Sequence, residues 1–228
     1  MEFCTWEPVY EAILADFGYD RRGDERARDV LADLVGSFDM AELDFTDQRV
    51  AIAGAGPSLA AEADRAAAAD AVIAASTAVD TLREEGVAVD CMVTDLDKNP
   101  GTALDLTDQG IPVATHAHGD NVAAVREWVP RFTDEQVLPT TQAEPGGPVE
   151  NFGGFTDGDR AAFLAGHVGA AELTFVGWDF DDPGVSEAKG RKLTWAERLL
   201  YWLEQRRDER FDVLDGRRDG IDVSMLPI

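Results

Sequence analysis

Apolar residues recur along this chain with two different periods. Six short runs are almost unbroken, at residues 50–53, 71–75, 89–94, 112–115, 136–139 and 173–176. Runs of that length with no polar face predict strands buried on both sides. Between them, residues 59–69, 79–85, 103–109, 122–132 and 160–168 carry helical spacing. Strand and helix alternate with short links, which predicts a mostly parallel sheet with helices on both faces. The expectation is a Rossmann-like α/β domain over residues 47–182.

The flanks read differently. Residues 1–46 predict a helical segment packed on that domain, with one helix over 8–16. A second carries Val30, Leu31, Leu34, Val35 and Phe38 on one stripe, with Asp24, Arg28 and Asp33 off it. No part in chemistry is expected of this segment. Residues 183–228 complete the same domain. They hold a basic approach, SEAKGRKLTW, then a helix from 193 to about 210 with Leu199, Leu200, Trp202 and Leu203. The tail from 211 either adds an edge strand or trails.

Polar groups gather where the strand-like runs stop. The run at 89–94 spills into Asp95, Asp97 and Asn99, and the next into His116, His118, Asp120 and Asn121. Ligands of open α/β sheets collect at the carboxyl ends of strands. Asp95 and Asp97, two residues apart at a strand end, are expected on one side. Such a pair suits a hard cation such as Mg²⁺, which takes a few carboxylates together with water and phosphate oxygens. Asp120, from the neighbouring strand end, would complete the set. The alternative is a solvated acidic loop. His116 and His118 lack a third nitrogen or thiolate partner for a transition metal, and His167 is expected to be structural.

Three further stretches point to phosphate. In VAIAGAGPSL, Gly54, Gly56, Pro57 and Ser58 form a strand-to-helix turn whose amide groups can approach an anion at a helix start. The third glycine of a dinucleotide turn and the Lys of a P-loop are both missing, and a glycine turn needed only for geometry is the alternative. Residues 151–160, NFGGFTDGDR, are too polar and glycine-rich for a core element, and Thr140, Thr141 and Gln142 form another strand-end cluster. Lys189, Arg191 and Lys192 open the last helix, where cations oppose the dipole; a bound triphosphate would explain them, and so would surface ion pairs.

Composition narrows the partners. The net charge is −25, with 45 acids against 20 bases, so duplex nucleic acid would be repelled. Hydrophobic residues make up 45%, which excludes a disordered chain. The acids are spread throughout and only Lys98, Lys189 and Lys192 are lysines. That pattern is similar to proteins of salt-loving archaea, whose surroundings screen self-repulsion. Cys4 and Cys91 form neither a zinc pattern nor a disulfide framework. Without a long apolar span or a basic-then-apolar leader, a cytoplasmic protein is expected.

Taken in order, GAGPSL, VTDLDKN, HAHGDN, TTQ, NFGGFTDGDRA and KGRKL resemble the archaeal 6-hydroxymethyl-7,8-dihydropterin pyrophosphokinase family. That family looks distantly like thiamine pyrophosphokinase, whose Gly-Asp-x-Asp-Ser metal motif is echoed by Thr94-Asp95-Leu96-Asp97. Lys98 stands where related proteins often carry a glycine. The resemblance implies an ATP- and Mg²⁺-dependent transfer of diphosphate to a reduced pterin, releasing AMP, in folate or tetrahydromethanopterin synthesis. On this view Asp95, Asp97 and Asp120 are the catalytic metal ligands. Gly54, Gly56, Pro57 and Ser58 would hold the adenosine-side phosphate, and Lys189, Arg191 and Lys192 the travelling ones. Asn121, Thr141, Gln142, Asn151 and Asp157 are candidates for hydrogen bonds to pterin or nucleotide. A thiamine pyrophosphokinase-like enzyme and a nucleotide-sensing module without catalysis are the alternatives. A nicotinamide oxidoreductase is disfavoured, because Ala75-Ser76-Thr77 stands where a ribose-binding acid belongs. The oligomeric state is left open, a homo-oligomer included.

Overall fold

The computed structural model describes residues 1–228. Its six strands are β1 (Arg49–Ala53), β2 (Ala71–Ala75), β3 (Cys91–Thr94), β4 (Val113–Ala117), β5 (Val137–Thr141) and β6 (Glu172–Val176). They form one sheet in the order β5-β4-β3-β2-β1-β6, with every pair parallel. The chain steps outward from β1 to β5, then returns to place β6 on the other side of β1. The fold is therefore α/β and Rossmann-like, with its switch point between β1 and β6.

Alternate strand residues feed two separate cores. Val50, Ile52, Ile73, Cys91 and Val93 face one way, against α1 (Phe3–Phe17), α7 (Asp157–His167) and α8 (Glu187–Arg207). Ala51, Ala53, Val72, Ala74 and Met92 face the other. There they meet α2 (Arg21–Ala32), α3 (Ala63–Ala67), α4 (Ala78–Glu84), α5 (Pro100–Asp108) and α6 (Val122–Trp128). Burial on both faces is why the strands read as unbroken apolar runs. The first core is the richer in aromatics: Trp202 stacks on Trp6 at 6.4 Å between ring centres and packs on Phe163 at 5.9 Å.

Several boundaries differ from the sequence expectation. Helix α2 begins after Asp20, whose carboxylate caps the Arg22 amide, and ends at Ala32. Leu34, Val35 and Phe38 therefore lie beyond it; they pack as irregular chain, held where the Gly36 amide donates to Asp134. The segment 59–69 is not one helix but a 3₁₀ turn, Leu59–Glu62, followed by the five-residue α3. Helix α8 starts six residues early, with Ser186 accepting from the Lys189 amide. The tail adds no strand; it makes two 3₁₀ turns and buries Phe211 and Leu214. No helix is long and apolar enough to cross a membrane.

Candidate active site

A cavity of about 590 Å³ opens at the carboxyl ends of the strands. Its walls come from the turn after β1, the ends of β2 to β5, the loop before α7, the loop after β6 and the start of α8. The α1–α2 turn and the start of α2 close one side, through Tyr19, Gly23, Asp24 and Arg26. The N-terminal helical segment thus forms part of the cavity wall.

At the end of β3 the chain turns sharply. Leu96 takes a left-handed backbone, φ +66°, while its buried side chain stays in the core; a non-glycine residue adopts that conformation only under constraint. The constraint is local: Thr94 Oγ1 accepts from the Leu96 amide at 3.0 Å, and Asp95 Oδ1 from the Asp97 amide at 3.2 Å. This turn, not strand alternation, brings the Asp95 and Asp97 carboxyl groups beside each other. Burial pushes the Asp97 carboxyl up, and the neighbouring Asp95 adds to it. Burial acts on Asp95 in the same direction. It is outweighed by hydrogen bonds from His118 and Asp97 and by the charge of Arg160, which hold Asp95 well below the usual range. The His118 Nε2 lies 3.4 Å from Asp95 Oδ2. Asp120 lines the same cavity with its side chain exposed, beside Tyr19. No three His, Cys, Asp or Glu side chains are clustered closely enough to hold a metal by themselves.

Opposite these acids stands a buried polar chain. Arg160 Nη1 pairs with Asp157 Oδ1 at 2.9 Å, and Nη2 donates to Gln142 Oε1 at 3.3 Å. Burial and the charge of Asp95 push the Asp157 carboxyl up to about 7. The start of α7, which carries Asp157, is fixed by a capping box in which Thr156 and Asp159 satisfy each other across the first turn. Gly154, at φ +95°, lets the chain pass so close to Arg160 that an added Cβ would sit 2.7 Å from its backbone.

All three lysines of the chain, Lys98, Lys189 and Lys192, line this cavity. Burial, then the charge of Lys98, lowers the pKa of Lys189. Lys189 and Lys192 are three apart on α8 and share a face. Arg191 falls on another face and is bound elsewhere: it donates to Asp16 on α1 and lies over the Phe17 ring.

The glycine turn after β1 differs from a phosphate cradle. The Gly54 amide donates to Val176 O, the Gly56 amide to Gly177 O, and the Ser58 amide and hydroxyl both to Asp179 Oδ2. An added Cβ on Gly54 would lie 2.6 Å from Gly177 O, and one on Gly56 2.7 Å from the same atom. The glycines are accounted for by this close approach of two chain segments at the switch point, and no regular helix starts there. Gly54, Gly56 and Pro57 still line the cavity; Ser58 does not.

The cavity wall also excludes three of the proposed hydrogen-bonding residues. Asn121 is turned inward, donating to Asp95 O and His116 O and accepting from the His118 amide. Thr141 donates to Ala117 O and accepts from the Ala143 amide, and Asn151 braces Ala143 and Gly153. These side chains hold strand ends in place. Of that group only Gln142 and Asp157 reach the cavity.

The sequence profile of the MptE-like 6-hydroxymethylpterin diphosphokinases matches residues 28–184, well over half of the chain. The chain belongs to this family. It is 38% identical to the 6-hydroxymethyl-7,8-dihydropterin pyrophosphokinase of Methanothermobacter thermautotrophicus, over 93% of the chain and 99% of that protein. The likeness to the protein of the same name from Pyrococcus furiosus is also 38%, over 90% and 95%. For that of Methanocaldococcus jannaschii it is 29%, over 92% and 99%. The family profile takes in Asp95, Asp97, Asp157 and Arg160. Asp24, Lys189 and Lys192 lie outside it, although the relatives span nearly the whole chain.

Asp24, Trp178 and Asp179 gained no role from the sequence, and Arg160 entered only as the end of the polar stretch 151–160; all four line the cavity. Arg160 left one usable signal, an arginine in the first turn of an apolar helix, where the dipole disfavours a cation. Nothing local marks Asp24, whose partners lie far along the chain.

Proposed function

We propose that this chain transfers the terminal diphosphate of ATP to the hydroxymethyl oxygen of 6-hydroxymethyl-7,8-dihydropterin and releases AMP. Family membership and the names of the relatives support the chemistry. The observation that carries the site is that a chain of net charge −25 brings all its lysines to the cavity that Asp95 and Asp97 line. Lys189 and Lys192 from α8, with Lys98 beside the paired carboxylates, suit a polyphosphate accompanied by a divalent cation.

The donor set fits Mg²⁺. Two adjoining carboxyl groups are hard oxygen donors, and phosphate oxygens and water supply the remaining ligands this ion prefers. Asp95 and Asp97 would hold it, with Asp120 at the rim as a further oxygen. Bound there, the ion would supply charge neutralisation of the phosphates. The chain's own residues do the rest. Lys98, Lys189 and Lys192 bind the phosphates and offset charge gathering on the β-phosphoryl oxygens. Arg160 adds a fixed guanidinium beside Asp157, and His118 orients Asp95. The pterin hydroxyl bonds to the β-phosphorus while the bond between that atom and the α–β bridging oxygen breaks. Its proton leaves to a neighbouring carboxylate or water, and AMP departs. Holding two substrates in line is the larger part of such catalysis.

The test is an acceptor assay with ATP and Mg²⁺ in molar salt, chosen because the acidic, lysine-poor surface fits a halophilic cytoplasm. AMP is expected to form with 6-hydroxymethyl-7,8-dihydropterin, in equal amount with the pterin diphosphate, and not with thiamine or without an acceptor. AMP formed only with thiamine, or with no acceptor at all, would overturn the assignment.

A further inference from the structure

Asp24 is 3% exposed, lies at the start of α2, and pairs with no cation. Its Oδ2 accepts from the Tyr10 hydroxyl and from Gln142 Nε2, both at 2.8 Å, and its Oδ1 accepts from the Gly119 amide at 2.7 Å. The three donors come from α1, the end of β5 and the loop after β4. Leaving a carboxylate buried among neutral donors is costly unless it is fully hydrogen-bonded, and only an acceptor-only group can take all three bonds at once.

Two arms run from this carboxylate into the site. Through Gln142 it reaches Arg160, whose other nitrogen holds Asp157. Through the Gly119 amide it pins the loop of His118, the residue that contacts Asp95. The seam between α2 and that loop is closed by glycines. A Cβ added to Gly23 would lie 3.2 Å from Gly119 Cα, and one added to Gly119 would lie 3.3 Å from Gly23 Cα. The helix and the loop therefore sit flush, and the loop's position follows from the position of α2.

We propose that Asp24 is a positioning residue for diphosphate transfer, setting Arg160 and the His118–Asp95 pair from the N-terminal helices. The proposal rests on the site assigned above. It makes α1 and α2 part of the catalytic machinery, and it lies outside the segment that the family profile matches.

The test compares steady-state kinetics and melting of the full chain with those of Asp24→Asn, Gly23→Ala and Asp97→Asn. Asp24→Asn keeps the size of the side chain but turns an amide donor toward at least one of the three donors. Its kcat is expected to fall about 10–100-fold with KM for ATP nearly unchanged, the effect of small misplacement. Gly23→Ala removes no hydrogen bond, and its gain in helix propensity offsets the cost of its contact with Gly119, so its melting midpoint should stay close to the parent's. Its wedge against Gly119 should still lower kcat several-fold. A purely structural hub predicts instead that activity is lost only where stability is lost. Asp24→Asn within twofold of the normal kcat, or a folded Gly23→Ala at full rate, overturns the proposal. Should Asp24→Asn fail to fold, Gly23→Ala alone decides. Asp97→Asn separates the two levels: if it is crippled while the other two are normal, the Asp24 role fails and the site stands. If all three turn over normally, the site assignment fails as well.

Discussion

Asp97→Asn is expected to lower kcat on the order of 10³-fold, the cost of removing one oriented charge from a phosphoryl-transfer site. Asp97 lines the open cavity, where partial loss of water and the neighbouring Asp95 raise its carboxyl, so the folded chain gains nothing from this second negative charge. Melting of the variant should therefore match the parent, or rise slightly as repulsion is relieved. Activity and stability separate here, which is the mark of a group kept for a ligand. The comparison needs rates and unfolding curves on one preparation. A variant that folds normally and retains more than a tenth of the parent kcat would remove Asp97 from the site.

Arg160→Met should damage both properties. The guanidinium is buried and pairs with Asp157, and its charge adds to the hydrogen bonds that lower the Asp95 carboxyl. Removing one partner of a buried pair leaves the other uncompensated, at about 3–5 kcal/mol. Loss of the fixed cation should cost roughly 10²–10³ in kcat. The pH dependence carries the sign. Asp157 is already pushed up to about 7 by burial and Asp95, so between its unfolded value and that point the folded state binds the extra proton. Stability then falls as pH rises through this window. Without Arg160 the carboxyl should rise further, so the decline extends to higher pH and its total grows, while its slope stays at one proton. Adding Asp157→Asn should flatten it. Denaturant unfolding of the parent, single and double variants from pH 4 to 9 measures this directly. Parallel curves would separate Arg160 from Asp157.

The fold was largely legible because each strand is buried on both faces, so its apolar run is unbroken and needs no periodicity. Helix limits were less so. The stripe of Leu34, Val35 and Phe38 looks helical by spacing, yet it packs, half-buried, as irregular chain after α2 has ended at Ala32. The pairing of Asp95 with Asp97 was readable, although it comes about by a left-handed Leu96 that no pattern announces. The lysines were conspicuous by their scarcity. Arg191 stands with them in sequence, but in a helix that begins at Glu187 its phase separates it from Lys189 and Lys192. Asn121, Thr141 and Asn151 stand at strand ends like true ligand contacts, and only coordinates reveal that they satisfy buried backbone groups. Gly54 and Gly56 carry the same ambiguity: close approach to Gly177 and close approach to phosphate demand the same residue. Asp24 was out of reach, since its hydrogen bonds to Gly119 and Gln142 span 95 and 118 residues.

The site itself is tested most directly by anomalous diffraction from crystals grown with Mn²⁺, the reduced pterin and an ATP analogue whose α–β bridge cannot be cleaved. Manganese takes the same oxygen ligands as magnesium and scatters anomalously. The expected result is a manganese peak bonded to Asp95 and Asp97, with the phosphates running toward Lys189 and Lys192. A peak away from both aspartates, or a nucleotide seated outside this cavity, would contradict it.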